Sequence, residues 1–505
     1  MHKICKLALS ILAVAGLLAA MCLFPASAET SFTDAKNYVN VRSFGAKGDG
    51  MTNDTEAVQK AVNAAKSGGK TVFFPAGLYN ISGSITVPAG VNVEGITSAA
   101  NGPWQNLYDG EAKGQKYNGL GSGNYWDAKL YAGSWIFVAD GSGNVDAGGT
   151  FRLEGDNTVS RLGFVNLMCP PVYDVESTPT APVIAVDINK LTSTKGIVIE
   201  DISLTNPYYG IAVYQDSLKN DNTNKKLSGK NSGPITIRNI MGAAMYRGIS
   251  VIGANGKVLI DNIQFNYANY GSPYVTQHAS KCVDIEIAAS TDVTIRDYLS
   301  FGAYTALRTF SAFSGSPVNL NAISLNLEGV MPLMLEASGN QTVRNSYILI
   351  TNFVGAANTS TYRSVVIKQD KNSSVKPVYT LDNIIFQSPG VVDHHLYDIT
   401  LQGGATVNVG SNLLWDFSTS QPIINYVHES GASSMVTFTS LAFCTNKNGG
   451  KLAAVSGSAY QSGELTFRYC RVPIGVLGKL ANADSNVKFE NCTKGYSSTS
   501  AKFSN

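Results

Sequence analysis

The sequence predicts an all-β protein, a single-stranded right-handed parallel β-helix with a capping helix at its N-terminal end. Past residue 70 the chain consists of short runs rich in Val and Ile, bounded by Gly, Asn, Asp or Ser, as in strands joined by turns. A second pattern, hydrophobic-x-hydrophobic-x-Asn/Asp-hydrophobic, occurs in "ITIRNI", "VLIDNI", "VTIRDY" and "YTLDNI". It returns about every 25 to 40 residues, which is the spacing of solenoid coils.

The capping helix is predicted over residues 52–66, "TNDTEAVQKAVNAAK". Its small apolar side chains recur on one face, and Asn53, Asp54 or Thr55 can cap its first turn. The apolar face consists of Ala57, Val58, Ala61, Val62 and Ala65. Because the end of a β-helix exposes core and open strand edges, we expect this helix to lie across the first coil.

The N-terminal segment has the pattern of a secretory signal peptide over residues 1–28. It begins with Lys3 and Lys6, continues with a mostly apolar run, and ends in Ala26-Ser27-Ala28. Its removal leaves 36 of the 38 basic residues, equal to the 36 acidic ones. A near-neutral mature chain argues against nucleic acid or an anionic membrane as a partner, because both select a basic face. We therefore expect a secreted protein.

The predicted organisation has four parts. The signal peptide is followed by the N-terminal cap over 29–70, by coils over 71–445 with an aromatic-rich insertion at 101–135, and by the last coils and a tail over 446–505. Five cysteines remain in the mature chain: Cys169, Cys282, Cys444, Cys470 and Cys492. None has metal-ligand spacing, so no metal site is predicted, and an odd number leaves at least one thiol unpaired. The disulfide pairing stays open.

The stretch "FGAKGDGMTNDTEAVQKAV" and the following "TVFFPAGLYNISGSITVPAGVNVEG" resemble the N-terminal region of the pectate-lyase-like β-helix superfamily, which includes rhamnogalacturonases, polygalacturonases, uronan epimerases and phage tailspikes. The resemblance spans residues 39–95 and implies the fold and a polysaccharide ligand. It does not imply one reaction, since the superfamily hosts many. Trimers occur among such relatives, and the oligomeric state here stays open. The Asn-Thr-Asp, Asp-Asp, Gly-His-Gly and Arg-Ile-Lys motifs of polygalacturonases are missing, and Asp49 and Asp54 are interpreted as turn and cap residues.

Outward side chains of stacked coils form columns, about 4.8 Å from strand to strand. Placing the aliphatic residues inward predicts two columns on one face. The first contains Ala185, Ala212, Ser250, Asp284, Arg308 and Met334, and the second contains Asp187, Tyr214, Ile252, Glu286, Phe310 and Glu336.

The strand in "KCVDIEIAAS" is the strongest catalytic candidate, because Asp284 and Glu286 would lie side by side on the outer face. Two close carboxylates favour a division into acid and base. Arg308 on the next coil would hold Asp284 ionised and leave Glu286 as the proton donor. His278 and Glu336 are further candidates in the same groove. The alternative is a solvated acidic face with an ordinary ion pair.

Aromatic side chains in the 101–135 insertion are suited to stacking on sugar rings, and Trp104, Tyr125 and Trp126 are the leading candidates. The column residues Tyr214, Asp187 and Phe310 are also expected to contact substrate. The alternative is that the insertion's rings form a small core of its own.

These observations predict a secreted glycoside hydrolase that uses a carboxylate pair and no cofactor. A second hypothesis is a polysaccharide lyase or epimerase acting on uronic-acid polymers, with Ca²⁺ as a possible cofactor. A third is a non-catalytic glycan-binding or tailspike-like protein. The sequence leaves the polysaccharide and its linkage open.

Overall fold

The computed structural model describes residues 37–97, 133–139, 148–166, 180–205, 207–215, 229–266, 282–313, 315–351, 362–388, 394–415, 419, 421–429, 432–443, 452–456, 463–472 and 487–494. The predicted signal peptide and nearly all of the 101–135 insertion lie outside these residues. The predicted domain boundaries therefore remain predictions. No helix in the described part is both long and apolar enough to cross a membrane.

The described strands form two parallel sheets. The twelve-stranded sheet contains β5 (Ile85–Val87), β8 (Phe151–Leu153), β10 (Ile184–Asp187), β12 (Tyr209–Tyr214), β14 (Arg247–Ile252), β16 (Val283–Ala288), β18 (Thr305–Phe310), β20 (Leu333–Leu335), β22 (Arg363–Lys368), β24 (His395–Leu401), β27 (Ile424–His428) and β30 (Ala453–Ser456).

The twenty-two-stranded sheet contains the remaining strands. They are β1 (Tyr38–Asn40), β2 (Asp49–Asn53), β3 (Thr71–Phe73), β4 (Gly77–Ile81), β6 (Asn92–Glu94), β7 (Ser134–Val138), β9 (Asn157–Asn166), β11 (Ile197–Thr205), β13 (Ile235–Ala243), β15 (Val258–Asn266), β17 (Val293–Ala303), β19 (Leu320–Gly329), β21 (Asn340–Ile350), β23 (Val378–Gln387), β25 (Thr406–Val409), β26 (Asn412–Trp415), β28 (Ser434–Thr439), β29 (Ala442–Phe443), β31 (Gly463–Arg468), β32 (Arg471–Val472), β33 (Val487–Glu490) and β34 (Thr493–Lys494).

Each central coil consists of one strand from each sheet. β14 leads to β15, β16 to β17 and β18 to β19, and each strand pairs in parallel with its counterpart one coil away. Inward aliphatic side chains, such as Ile249, Ile285 and Leu307, stack in register and are fully buried. The protein is thus a parallel β-helix with one continuous core, as the sequence predicted.

The repeated Asn/Asp phrase lies at a corner within four of the long strands, β13, β15, β17 and β23. Asn239, Asn262, Asp297 and Asn383 all have φ between 51° and 55°, in the left-handed region. Asn and Asp tolerate this conformation better than other non-glycine residues. The side chains also bond from coil to coil, with 2.9 Å between Asn262 Nδ2 and Asn239 Oδ1. The phrase therefore marks the bend that closes each coil.

The capping helix α1 spans Thr55–Lys66, close to the predicted bounds. Val58, Ala61, Val62 and Ala65 are fully buried and belong to the core, and the helix packs against β1, β3 and β5. It therefore covers the apolar end of the first coils.

Asp54, at the start of the capping helix, makes no side-chain capping bond within the helix. Its carboxylate instead accepts the backbone N–H groups of Lys47, at 2.6 Å, and Gly48, at 3.0 Å. Burial raises the pKa of Asp54, and these two bonds oppose that effect. Asp54 thus connects the turn at Lys47 and Gly48 to the start of the helix.

Candidate functional site

The outer face of the twelve-stranded sheet carries the predicted columns with one change. Register pairing aligns Ala185, Ala212, Ser250, Glu286, Arg308 and Met334 in one column. The next column contains Asp187, Tyr214, Ile252, Ala288 and Phe310. Glu286 therefore takes the position that was predicted for Asp284, directly opposite Arg308.

The prediction that Asp284 lies on the outer face is wrong. Asp284 is 0% exposed, and its Oδ2 accepts hydrogen bonds from Tyr298 Oη at 2.9 Å and Ser300 Oγ at 2.5 Å. Tyr298 belongs to the interior core, as does Ile285, the residue that follows Asp284. Two consecutive residues thus face inward, and the regular alternation of the strand fails at its beginning.

Neighbouring coils show the same break in alternation. The position of Asp284 is occupied by Gly210 on β12 and Gly248 on β14. A Cβ atom on Gly210 would lie 3.1 Å from the interior side chain of Leu204, and one on Gly248 would lie 2.7 Å from the ring of Phe265. An acid at this place lies in the core, where the hydroxyl groups of Tyr298 and Ser300 both donate to its Oδ2.

Two side chains of β14 bind the carboxylate of Glu286. Its Oε1 accepts from Ser250 Oγ at 2.5 Å, and its Oε2 accepts from Arg247 Nε at 2.8 Å. The residue is only 5% exposed. Such charge-assisted bonds fix the position of the carboxylate.

The same arrangement repeats along the sheet. Arg308 Nε donates to Glu336 Oε2 at 2.8 Å, and Arg363 Nε donates to Asp398 Oδ2. Six successive strands, β14 to β24, therefore alternate between arginine and carboxylate. We call these residues the charge ladder: Arg247, Glu286, Arg308, Glu336, Arg363 and Asp398.

Two charge pairs on the other sheet are more exposed than the ladder, whereas a third, Arg161 with Glu94, is about as sheltered, with the Arg161 side chain 26% exposed. Arg238 pairs with Glu200 and Arg296 with Asp261, and both arginine side chains are 50% exposed. The arginines of the charge ladder are 11%, 30% and 27% exposed. The ladder is therefore partly sheltered from water. Charge–charge and charge–dipole interactions are stronger in such a sheltered place than in water.

Aromatic rings support two of the ladder arginines. The guanidinium of Arg247 lies 4.0 Å from the ring centroid of Tyr246, which itself stacks on Tyr208. The guanidinium of Arg308 lies 4.9 Å from the ring centroid of Phe310. These cation–π contacts hold the planar guanidinium groups in place while their edges bond the carboxylates.

The three predicted column contacts are less accessible than expected. Tyr214 and Phe310 are buried in an apolar cluster on this face. Asp187 accepts from the backbone N–H of Asn189 at 3.0 Å and lies 3.4 Å from Lys190 Nζ. In this arrangement Phe310 supports Arg308, and Asp187 orders a turn.

Several predicted residues lie outside the described part of the chain: His278, Trp104, Tyr125 and Trp126. Conversely, sequence reasoning missed Arg247, Arg363 and Asp398. Arg247 and Arg363 occupy the first position of their strands, and that position was not included in the predicted columns. An arginine at the first position of two strands, β14 and β22, was the available signal.

Sequence reasoning also missed Glu328 on β19. It is 3% exposed, its Oε2 has no hydrogen-bond partner, and burial raises its pKa to about 8. It lies opposite a β-bulge at Phe301 and Gly302, between the pairs Ser300–Leu327 and Ala303–Gly329. The negative charge of Glu328 also helps to raise the pKa of Tyr347, after burial. With its pKa raised in this way, the Glu328 carboxyl holds its proton to a higher pH than an exposed glutamate does.

Within the described ranges, no group of three or more His, Cys, Asp or Glu side chains is arranged to hold a metal ion.

Comparisons with known proteins match the chain mainly at its N-terminal end. Residues 38–103 match the family model described as rhamnogalacturonase A/epimerase, pectate lyase-like. Alginate lyase 7 of Azotobacter vinelandii is 60% identical over 45 residues, which are 9% of this chain and 5% of that protein. A glucan 1,3-beta-glucosidase of Cochliobolus carbonum is 45% identical over 74 residues, 14% and 9% of the two chains. The chain thus spans less than a tenth of these curated relatives.

Among solved structures, the N-terminal fragment of bacteriophage Phi29 gene product 12 has a TM-score of 0.49 at 13% identity, covering 91% of this chain and 72% of that one. The N-terminal match and the stacked parallel coils both support the pectate-lyase-like β-helix superfamily.

Proposed function

We propose that the chain is a polysaccharide-processing enzyme that binds its glycan along the charge ladder. The observation that carries this proposal is the alternation of sheltered arginines and carboxylates over six successive strands. Coils repeat about every 4.8 Å along the axis, a distance comparable to the length of one pyranose residue. An extended glycan along the axis would therefore meet one charged side chain per sugar.

The names of the relatives agree with this proposal at a coarse level. An alginate lyase and a glucan glucosidase are both named for action on polysaccharides. Their similarity covers only 9% and 14% of this chain, so the reaction has to be argued from the ladder. The signal-peptide pattern at residues 1–28 supports action outside the cell.

For the reaction we propose glycoside hydrolysis with Glu286 and Glu336 as the carboxylate pair. Glu286 lies on β16 and Glu336 directly follows β20, two strand spacings or about 9.6 Å away. Glu286 bonds Arg247 and Ser250 of β14, and Glu336 bonds Arg308 of β18. A wide separation is typical of inverting hydrolases, which place a water between the two groups.

The contacts of the two carboxylates suggest different roles. Glu286, with both oxygens bonded, is fixed in position to activate water. Glu336 is bound by Arg308 and is the more exposed of the two, at 18% against 7% for the side chains. When a substrate hydroxyl replaces it on Arg308, Glu336 takes up a proton from solvent and passes this proton to the leaving oxygen.

A lyase or epimerase reaction is the second candidate, favoured by the three arginines of the ladder. A guanidinium binds a carboxylate with two parallel bonds, so Arg247, Arg308 and Arg363 would suit a uronic-acid polymer. In this reaction the arginines neutralise the uronate while a base removes the neighbouring proton, and Ca²⁺ is the cofactor to test.

The test measures the full chain against neutral and uronic polysaccharides, with and without Ca²⁺. New reducing ends without the ultraviolet absorbance of an unsaturated uronate identify a hydrolase, and the two signals rising together identify a lyase. A change in uronate composition without cleavage identifies an epimerase. We expect Glu336→Gln and Glu286→Gln each to lower turnover by at least about a hundredfold, as loss of an acid or base does.

Glu200→Gln provides the matched control, because it alters a cross-coil pair with arginine on the other sheet. It should leave turnover unchanged. Wild-type turnover in both ladder variants would remove the carboxylate pair from the mechanism. Glycan binding without any product would leave the ladder as a binding surface only.

A further inference from the structure

The last two described coils bring two cysteines into register. β31 and β33 pair in parallel, with Arg468 opposite Glu490. Three residues further on, Arg471 of β32 lies opposite Thr493 of β34. Cys470 and Cys492 therefore occupy equivalent places on adjacent coils, fixed by pairing on both sides.

The backbone at the two positions is the same. The preceding residues, Tyr469 and Asn491, both have φ of 53°, and Tyr469 N–H bonds the Glu490 carbonyl at 2.9 Å. Adjacent parallel strands place equivalent Cα atoms about 4.8 Å apart. That spacing lies inside the range of about 4.4 to 6.8 Å that disulfides require.

The two thiols are also neighbours. Each donates to the carbonyl two residues before it, Cys470 to Arg468 at 3.3 Å and Cys492 to Glu490 at 3.6 Å, so both follow the same local path. Burial raises the pKa of the Cys470 thiol to about 11, and the nearby Cys492 adds to this rise. Cys470 is fully buried, whereas Cys492 is half-buried.

We propose that Cys470 and Cys492 form a disulfide that links the last two described coils. The accessible Cys492, as its thiolate, attacks a small-molecule disulfide such as oxidised glutathione and releases one thiol. Cys470 then loses its proton and attacks the mixed disulfide, which releases the second thiol. Two protein thiols become one disulfide, and the oxidant is reduced to two thiols.

The disulfide would stabilise the end of the described β-helix, where coils have fewer neighbours. In a stacked solenoid each coil is held mainly by its neighbours, so a terminal coil lacks support on one side. A covalent bond between adjacent coils restricts the unfolded segment between them and keeps the last coil attached.

The experiment treats the full chain with oxidised glutathione, denatures it without reductant, alkylates the free thiols and maps peptides by mass spectrometry. We expect one cross-linked peptide pair that joins Cys470 to Cys492. Cys282 is the internal control: burial raises its pKa to about 12, its thiol donates to the Met245 carbonyl, and it should be alkylated.

Cys492→Ser should leave Cys470 alkylated, and reduction of the wild type should accelerate proteolysis within 463–494. Alkylation of both cysteines after oxidation, or a bond from either one to a different cysteine, would overturn the proposal. Circular dichroism establishes that the variant keeps its sheets, so the thiol readout does not depend on misfolding.

Discussion

Asp284 and Glu286 are two residues apart on one strand and face opposite environments. The first accepts hydrogen bonds at Oδ2 from two hydroxyl groups in the core, and both oxygens of the second accept from Arg247 and Ser250 on the outer face. The prediction placed both side chains outside because it assumed that successive side chains of a strand alternate between the two faces. That assumption fails where a strand begins with two inward residues. The sequence contained one hint of the exception, the glycines at the same position on β12 and β14.

The core position of Asp284 predicts a loss of stability on truncation. Asp284→Ala leaves the hydroxyl groups of Tyr298 and Ser300 without this acceptor, so the free energy of unfolding should fall by about 2 to 4 kcal/mol. Urea unfolding measures this, with Glu336→Gln as the control expected to change little. Lost turnover at unchanged stability in Asp284→Ala would return Asp284 to the list of catalytic candidates.

Glu328 predicts a pH dependence of stability. Burial raises its pKa from 4.5 to about 8, so the folded state binds this proton more tightly than the unfolded chain does. The resulting stability is complete below about pH 4.5 and declines as pH rises to about 8, by about 1.4 kcal/mol per pKa unit. Glu328→Gln cannot ionise, so it should lose this decline.

Melting temperatures between pH 4.5 and 9 measure the effect, with Glu200→Gln as a half-buried comparison. The difference between Glu328→Gln and the wild type should grow with pH and level off above pH 8. A difference that stays constant over this range would show that Glu328 keeps its charge when buried.

At the scale of the element, the repeat of the coils was predictable and the starts of strands were not. The spacing of the Asn/Asp phrase predicted that repeat, and the structure shows that its Asn and Asp residues occupy left-handed corners, which few residues adopt without cost. The capping helix was predictable because its small residues recur with helical period. The first residue of a short strand has no such signature, and for this reason Arg247 and Arg363 were missed.

Variants of Asn262 separate two contributions to the stability of a coil: the left-handed backbone conformation and the side-chain hydrogen bond to Asn239. Asn262→Ala places an unfavourable residue at φ 54° and removes the bond to Asn239. We expect a loss of roughly 1 to 2 kcal/mol. Asn262→Gly keeps the conformation, so it should cost less, as measured by chemical unfolding. Equal losses in both variants would assign the effect to the hydrogen bond alone.

At the scale of the whole molecule, the fold followed from repetition and the site did not. Hydrophobic spacing predicts that coils stack, since every coil must bury the same face. The charge ladder consists of single residues on different coils, and their alignment depends on the register of the strands. Because Asp284 faces inward, Glu286 rather than Asp284 lies opposite Arg308, so the predicted register of β16 is wrong by two residues. Glu286 and Arg308 were named from the sequence, but their direct opposition emerged only from the pairing of β16 with β18.

The ladder also makes a prediction about substrate length. Arg247 and Arg363 are its terminal arginines, on β14 and β22, about 19 Å apart at 4.8 Å per strand. A glycan of several residues would reach both, whereas a short oligosaccharide bound at Glu286 and Glu336 would reach neither or only one. Arg247→Ala should therefore raise the KM for long chains by about tenfold, which is 1.4 kcal/mol of binding, and change the KM for short ones little.

Arg363→Ala should act in the same direction from the other end, and Arg238→Ala on the other sheet is the matched control. Because Arg247 also holds Glu286, its variant should lower kcat as well, whereas Arg363→Ala should change KM alone. Steady-state kinetics on a series of defined chain lengths separates these outcomes. Equal effects on short and long substrates would mean that the glycan does not run along the axis of the β-helix.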